Sequence, residues 1–187
     1  MQKIIAIAAS TGGVEALDYM LPFFPESTPP VLVVIHMHEG FTRLFAQRMK
    51  SRLAAQIKEA ESGDVLQKGR ILIAPAGRHM RLVRKGSEPI VDCFLGPKVN
   101  AVIPAADILF DSVADIIGAN AVGVVLTGMG RDGADGLLKM RQNGARTLGQ
   151  DKATSAIYGM PKVAFDIGAV EAQLPLNQIV SGIFKLV

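Results

Sequence analysis

Ser10, His36 and Asp132 are the residues of this chain whose types and positions could do chemistry together. A serine hydroxyl is a poor nucleophile at neutral pH. It needs a base within hydrogen-bonding reach, and the base needs a third group to fix its tautomer and stabilise its cation. Ser10 ends the run Ile4-Ile5-Ala6-Ile7-Ala8-Ala9 and is followed by Thr11-Gly12-Gly13. His36 follows Val31-Leu32-Val33-Val34-Ile35, and Asp132 lies in Thr127-Gly128-Met129-Gly130-Arg131-Asp132-Gly133, after a third apolar run. Other readings stand beside this one. His38 or His79 could be the base, but His38 sits further into its loop and His79 precedes a hairpin strand. Ser10 could simply cap the helix that follows it, and Asp132 the helix beginning near Gly133. The Ser10 to Gly13 turn could instead cradle a phosphate on unpaired helix N–H groups.

These residues need a scaffold that brings loop ends together. Short continuous apolar runs read as strands buried on both faces, as in a parallel sheet. Runs at 4–9, 31–35, 70–74 and 121–126 have that character, with shorter strands near 145–148 and 169–173. Helical spacing follows the first run over 14–21. It recurs where Phe41, Leu44, Phe45, Met49 and Leu53 share a face, over 104–117 opened by Pro104, from Gly133 to about 142, and over 176–187. Residues 80–84 and 89–94 flank Lys85-Gly86-Ser87-Glu88, which predicts an antiparallel hairpin. Strands alternating with helices imply an α/β domain with a mostly parallel sheet, in which ligands bind beyond the carboxyl ends of the strands. The three polar loops should therefore emerge on one edge.

Composition narrows the function. Hydrophobic residues make up 49% and charged residues 20% of the 187 positions, enough for one well-packed domain. The net charge of +3 comes without a dense Lys/Arg run, and aromatics at 5% with no Trp provide no stacking platform, so nucleic acid is not an expected partner. The single cysteine, Cys93, excludes an internal disulfide and a cysteine-based zinc site, and reads as a small buried apolar residue. No apolar run reaches membrane-spanning length and no signal peptide is evident, so a cytoplasmic, non-membrane-embedded protein is expected.

Four ordered motifs give the chain a resemblance: Ala9 to Gly13, His36-Met37, Leu126 to Ala134, and Gln150 to Ser155 continuing through Tyr158 to Pro161. Together they resemble the catalytic domain of the chemotaxis protein-glutamate methylesterase (CheB-type) family over nearly the whole chain. The resemblance implies a doubly wound α/β fold with helices on both faces. It implies hydrolysis of methyl esters on chemoreceptor glutamates, and often deamidation of receptor glutamines. It also implies a triad of Ser10, His36 and Asp132 with the oxyanion held by backbone N–H groups of Thr11 and Met129, and no metal or organic cofactor. The implied partners are methyl-accepting receptor helices, and a separate receiver protein could stand in for the usual receiver domain. Three features differ from the family pattern, one of them Ile35, where Gln commonly precedes the histidine. Family members usually carry an N-terminal receiver domain, whereas here the first strand begins almost at Met1, so a single catalytic domain over 1–187, uninhibited in cis, is expected. The loop 101–106 is apolar where the family tends to be polar or basic, so charge steering of the substrate is expected to be weak.

Overall fold

The computed structural model describes residues 3–187. Nine strands form in chain order: β1 (Ile4–Ala9), β2 (Val31–Ile35), β3 (Gln56–Glu59), β4 (Arg70–Ile73), β5 (His79–Lys85), β6 (Glu88–Phe94), β7 (Ala121–Val125), β8 (Arg146–Gln150) and β9 (Ala172–Leu174). Six helices alternate with them: α1 (Gly13–Met20), α2 (Phe41–Met49), α3 (Ala106–Ile116), α4 (Ala134–Gln142), α5 (Met160–Asp166) and α6 (Leu176–Phe184). Seven strands make one sheet in the order β3-β4-β2-β1-β7-β8-β9, all pairs parallel, and β5 and β6 form the separate antiparallel hairpin. This is the doubly wound α/β arrangement expected from the sequence.

The central strand explains the two layers. Successive side chains of a strand point to opposite faces. In β1, Ile4, Ala6 and Ala8 join the core shared with α3, α4, α5 and the hairpin, whereas Ile5, Ile7 and Ala9 join that of α1, α2 and α6. All six are buried, which is why the run shows no polar alternation. The chain order reverses direction across the sheet between β1 and β7, so a crevice opens beyond their carboxyl ends.

Four local expectations need correction. Strand β3 was not expected: Gln56-Ile57-Lys58-Glu59 buries only Ile57 fully, so as a polar edge strand it lacks the apolar run that marks the others. Helix α2 is rotated from the predicted face. It buries Thr42, Phe45, Ala46 and Met49, while Phe41 and Leu44 are exposed. Thr42 is turned inward by its hydroxyl, which bonds Glu59 Oε1 at 2.5 Å and accepts the Ala76 N–H at 3.1 Å. Helix α3 begins at Ala106 rather than at Pro104. The last strand is Ala172–Leu174, a few residues later than its apolar neighbours suggest. Cys93 is buried as expected, and burial, aided by the neighbouring Asp92 charge, pushes its thiol up to about 12. Among the described residues no helix is long and apolar enough to cross a membrane.

Candidate active site

The register of the sheet sets the site. Ala9 pairs with Ile35 in the β1–β2 ladder, and His36 N–H continues it by donating to Ala9 C=O at 3.2 Å. Ser10 N–H donates to Thr127 C=O at 3.0 Å on the other side. The ends of β1, β2 and β7 are therefore held side by side, with Ser10 between the loops that carry His36 and Asp132.

The turn after Ser10 depends on glycine. Gly12 takes φ +78°, and a Cβ there would meet Ala156 Cβ at 2.5 Å. Gly12, not Ser10, occupies the cap position of α1, and no side chain caps that helix. The capping reading of Ser10 is thus incorrect, and its hydroxyl is left free of that duty. Across the crevice, a Cβ on Gly128 would lie 2.7 Å from Ser10 Cβ and 2.4 Å from Met160 Sδ. Only glycine lets the loop after β7 approach the serine this closely. Thr127 ties the walls together: its hydroxyl donates to Thr11 C=O at 2.9 Å and accepts Ile157 N–H at 3.0 Å. The fully buried Gln150 accepts Thr127 N–H at 2.8 Å and donates to Thr154 C=O at 2.8 Å. Sequence reading gave Thr127 and Gln150 no role. A polar residue closing an apolar strand was the available signal.

His36 is largely buried, with its side chain 14% exposed, and Asp132 is 2% exposed. His36 Nε2 and Asp132 Oδ2 lie 2.8 Å apart. An ionised carboxylate only accepts, so Nε2 carries the proton and Nδ1 is the free ring nitrogen. Asp132 does not cap α4, whose cap is Gly133. Its carboxylate instead sits on the start of α3. There Ala106 N–H donates to Oδ2 at 2.6 Å, Asp107 N–H to Oδ1 at 3.3 Å, and Asn100 Nδ2 to Oδ1 at 2.9 Å. Burial alone would push this carboxyl up. The hydrogen bonds from His36, Ala106 and Asn100 outweigh that and hold it below its ordinary value.

The three histidines sit in different settings. His38 is exposed. His79 is 1% exposed and both its nitrogens are engaged by backbone: Nδ1 accepts Ala105 N–H at 3.2 Å, so Nε2–H donates to Pro97 C=O at 2.9 Å. Ser10 Oγ makes no hydrogen bond to the His36 ring among the described residues, a looseness common before substrate is bound. Among those residues the N–H groups of Thr11 and Met129 donate to no other group, and Met129 is 71% exposed. A cleft of about 340 Å³ opens beside His36, lined by Met37, His38, Lys98, Val102 and Ile103. The loop 101–106 contributes its apolar character through Val102 and Ile103, while Ala105 and Ala106 are buried beneath. Lys98 adds a positive charge at that wall. No group of three or more metal-ligating side chains occurs among the described residues.

A wholly parallel, doubly wound sheet with its polar loops gathered at the point of reversal defines the class: an α/β domain whose ligand site lies beyond the carboxyl ends of β1, β2 and β7. Within that class the family is specific. Residues 5–183 match the family described as CheB methylesterase, and the chain belongs to it. It is 51% identical over 184 residues to a protein-glutamate methylesterase/protein-glutamine glutaminase of Syntrophomonas wolfei, covering 98% of this chain and 54% of the relative. The similarity to a protein of the same name from Agrobacterium fabrum is 50% over 186 residues, covering 99% and 53%. The chain thus spans about half the length of the curated relatives it matches. The crystal structure of the Thermotoga maritima CheB methylesterase catalytic domain superposes with a TM-score of 0.97 at 36% identity, each chain covered in full.

Proposed function

We propose that residues 1–187 act as one catalytic domain that hydrolyses methyl esters of glutamate side chains on chemoreceptor helices in the cytoplasm, with a separate receiver protein as its candidate regulator. The observation that carries this reading is the buried His36–Asp132 hydrogen bond at the end of the strand neighbouring Ser10, in a chain of this family. In the proposed reaction His36 Nδ1 takes the Ser10 proton as Oγ attacks the ester carbonyl. Asp132 holds the Nε2–H tautomer and stabilises the imidazolium. The N–H groups of Thr11 and Met129 receive the charge that develops on the carbonyl oxygen. The C–O bond to the methoxy group breaks, and His36 returns the proton so that methanol leaves. Water then gives a proton to His36 as it attacks the acyl-enzyme carbonyl, the bond to Ser10 Oγ breaks, His36 returns the proton to Oγ, and the glutamic acid product leaves and ionises to the carboxylate. A glutamine side chain would follow the same path with ammonia as the leaving group, which fits the glutaminase activity that the relatives are also named for. Methanol release from methylated receptor tests the reading. The purified chain should produce it and Ser10→Ala should not. Turnover surviving in Ser10→Ala would remove the serine from the mechanism and sink the proposal.

A further inference from the structure

Behind Asp132 lies a second buried carboxylate that the proposed chemistry does not use. Asp107, in the first turn of α3, is 8% exposed. Its Oδ1 accepts Gly136 N–H of α4 at 2.7 Å, and its Oδ2 accepts from Asn100 Nδ2 at 2.7 Å. The two helices are therefore cross-capped: Asp132, just before α4, receives the start of α3, and Asp107, in α3, receives the start of α4. One amide, that of Asn100, spans both carboxylates, giving one N–H to each. Both facing groups accept only, so the amide oxygen cannot replace the nitrogen there without repulsion.

The chain holds Asn100 in place at a cost. Val99 and Val102 exchange N–H···O=C bonds of 3.1 and 3.0 Å, so Asn100 and Ala101 are the two central residues of a tight turn. Both have positive φ, +52° and +65°. Asn tolerates that region, whereas Ala does not, and its strain is of order 1 kcal/mol. His79 pins both flanks of the loop through Pro97 and Ala105. The same loop walls the cleft beside His36 with Lys98, Val102 and Ile103.

We propose that Asn100, backed by Asp107, is a positioning residue for Asp132, linking the wall of the substrate cleft to the carboxylate that orients His36. This rests on the esterase reading above. Asp132 Oδ2 serves His36 and Ala106, so Oδ1 fixes the rotation of the carboxylate about a broad torsion. Of the two donors to Oδ1, Asn100 at 2.9 Å is the closer, Asp107 N–H lying at 3.3 Å. Its N–H also draws charge from Oδ1. Without it Asp132 swings more freely and becomes a stronger acceptor for the imidazolium proton. The titratable groups around this cluster are His36 just after β2, Asp107 on α3, Asp135 on α4, and Lys98 and His38 at the cleft.

The experiment compares Asn100→Gly, which removes the amide and suits the positive φ, with Ala101→Gly, which relieves the strain and keeps it. Asn100→Gly should lower kcat roughly ten-fold, equal to about 1.4 kcal/mol, with KM little changed and the folded fraction intact. The acid limb of log(kcat/KM) against pH should move to higher pH. In the Ser10→Ala background, the NMR titration of the His36 ring should move the same way on adding Asn100→Gly. Ala101→Gly should keep the wild-type profile. A fall that is uniform across pH and tracks loss of folded protein would overturn the positioning role, as would a wild-type profile in Asn100→Gly. If Ser10→Ala keeps the wild-type rate, the esterase reading fails instead, and the His36 titration still decides the link from Asn100 to Asp132.

Discussion

His36 and His79 are the same residue in opposite settings. His36 ends a central strand, offers one ring nitrogen to a carboxylate, and keeps the other free at the mouth of a cleft. His79 starts a hairpin strand, is almost wholly buried, and gives both nitrogens to backbone groups of one loop. The difference lies in what the second nitrogen meets. A ring with both nitrogens satisfied holds structure together, whereas a ring with one nitrogen free beside an ionised acid can take up and return a proton. The two are nevertheless coupled, because the loop pinned by His79 carries Asn100, which touches the acid that serves His36.

The largest effect should come from His36→Ala. Turnover is expected to fall by on the order of 10⁴- to 10⁶-fold, with a modest fall in the unfolding midpoint, since the buried Asp132 carboxylate loses one of its four donors. Combining it with Ser10→Ala should add little if the two act as the proposed unit, and an additive loss would separate them. A near-normal rate in His36→Ala, with a crippled His38→Ala, would reverse the comparison at the level of chemistry.

Asp132→Asn ranks next. The carboxylate receives four donors, and an amide at that position must turn one NH2 group against them. The enforced Nε2–H tautomer is lost, and a fall of roughly 10⁴-fold is expected. Part of the loss should appear as lower stability, because α3 loses its acceptor. Steady-state rates corrected for the folded fraction from urea unfolding separate the two. A rate within ten-fold of wild type would mean that Asp132 only caps α3.

Much of this contrast was legible in the sequence. Buried parallel strands announce themselves as unbroken apolar runs, and Ser10, His36 and Asp132 each stand directly after one, or in the loop it opens. The sequence ranks His36 above His79 because it follows a central run while His79 precedes a hairpin strand, and of the two only His36 bonds a carboxylate. What escaped sequence reading depends on contacts between distant elements. Nothing local tells that Asp132 receives α3 rather than α4, since an aspartate just before a helix reads as the cap of that helix. Asp107 reads as an ordinary acid in a first helical turn, and only the packing of α3 on α4 reveals that it bonds Gly136. Thr42 replaces the apolar neighbours on α2 because Glu59, on an unrecognised edge strand, waits for its hydroxyl.

His79→Ala should invert the pattern of His36→Ala. Ala105 N–H and Pro97 C=O lose their partners inside the protein, and the ring's contact with Phe94, centroids 5.5 Å apart, leaves a void. A stability loss of roughly 2–4 kcal/mol is expected. Activity per folded molecule should fall far less than in His36→Ala, and only through the loop that carries Asn100. Equal losses of rate in the two variants, measured under conditions where both are folded, would erase the distinction between them.

The smallest effect concerns the two carboxylates that separate the histidines, and it is read from stability against pH. Hydrogen bonds hold Asp132 below its ordinary value despite burial. The unfolded chain therefore binds the extra proton first, and Asp132 contributes stability that is lost as pH falls from about 3.9 through its folded pKa. Asp107 has the opposite sign. Burial raises its carboxyl, and the charge of Asp132 adds to the rise, against the bonds from Gly136 and Asn100. Here the native state holds the proton longer, so stability falls as pH rises from about 3.9 to the folded pKa of Asp107. The two windows meet near the ordinary carboxylate value without overlapping. Asp107→Asn should consequently flatten the dependence just above that pH and leave the acid slope below it intact. Urea unfolding at closely spaced pH values from 3 to 6 reads both slopes, and differences in slope are insensitive to any constant loss of stability in the variant. An unchanged slope above about 3.9 in Asp107→Asn would show that Asp107 carries no raised pKa in the folded chain. The cross-cap would then hold α3 against α4 without the electrostatic strain that two carboxylates bridged by one amide should create.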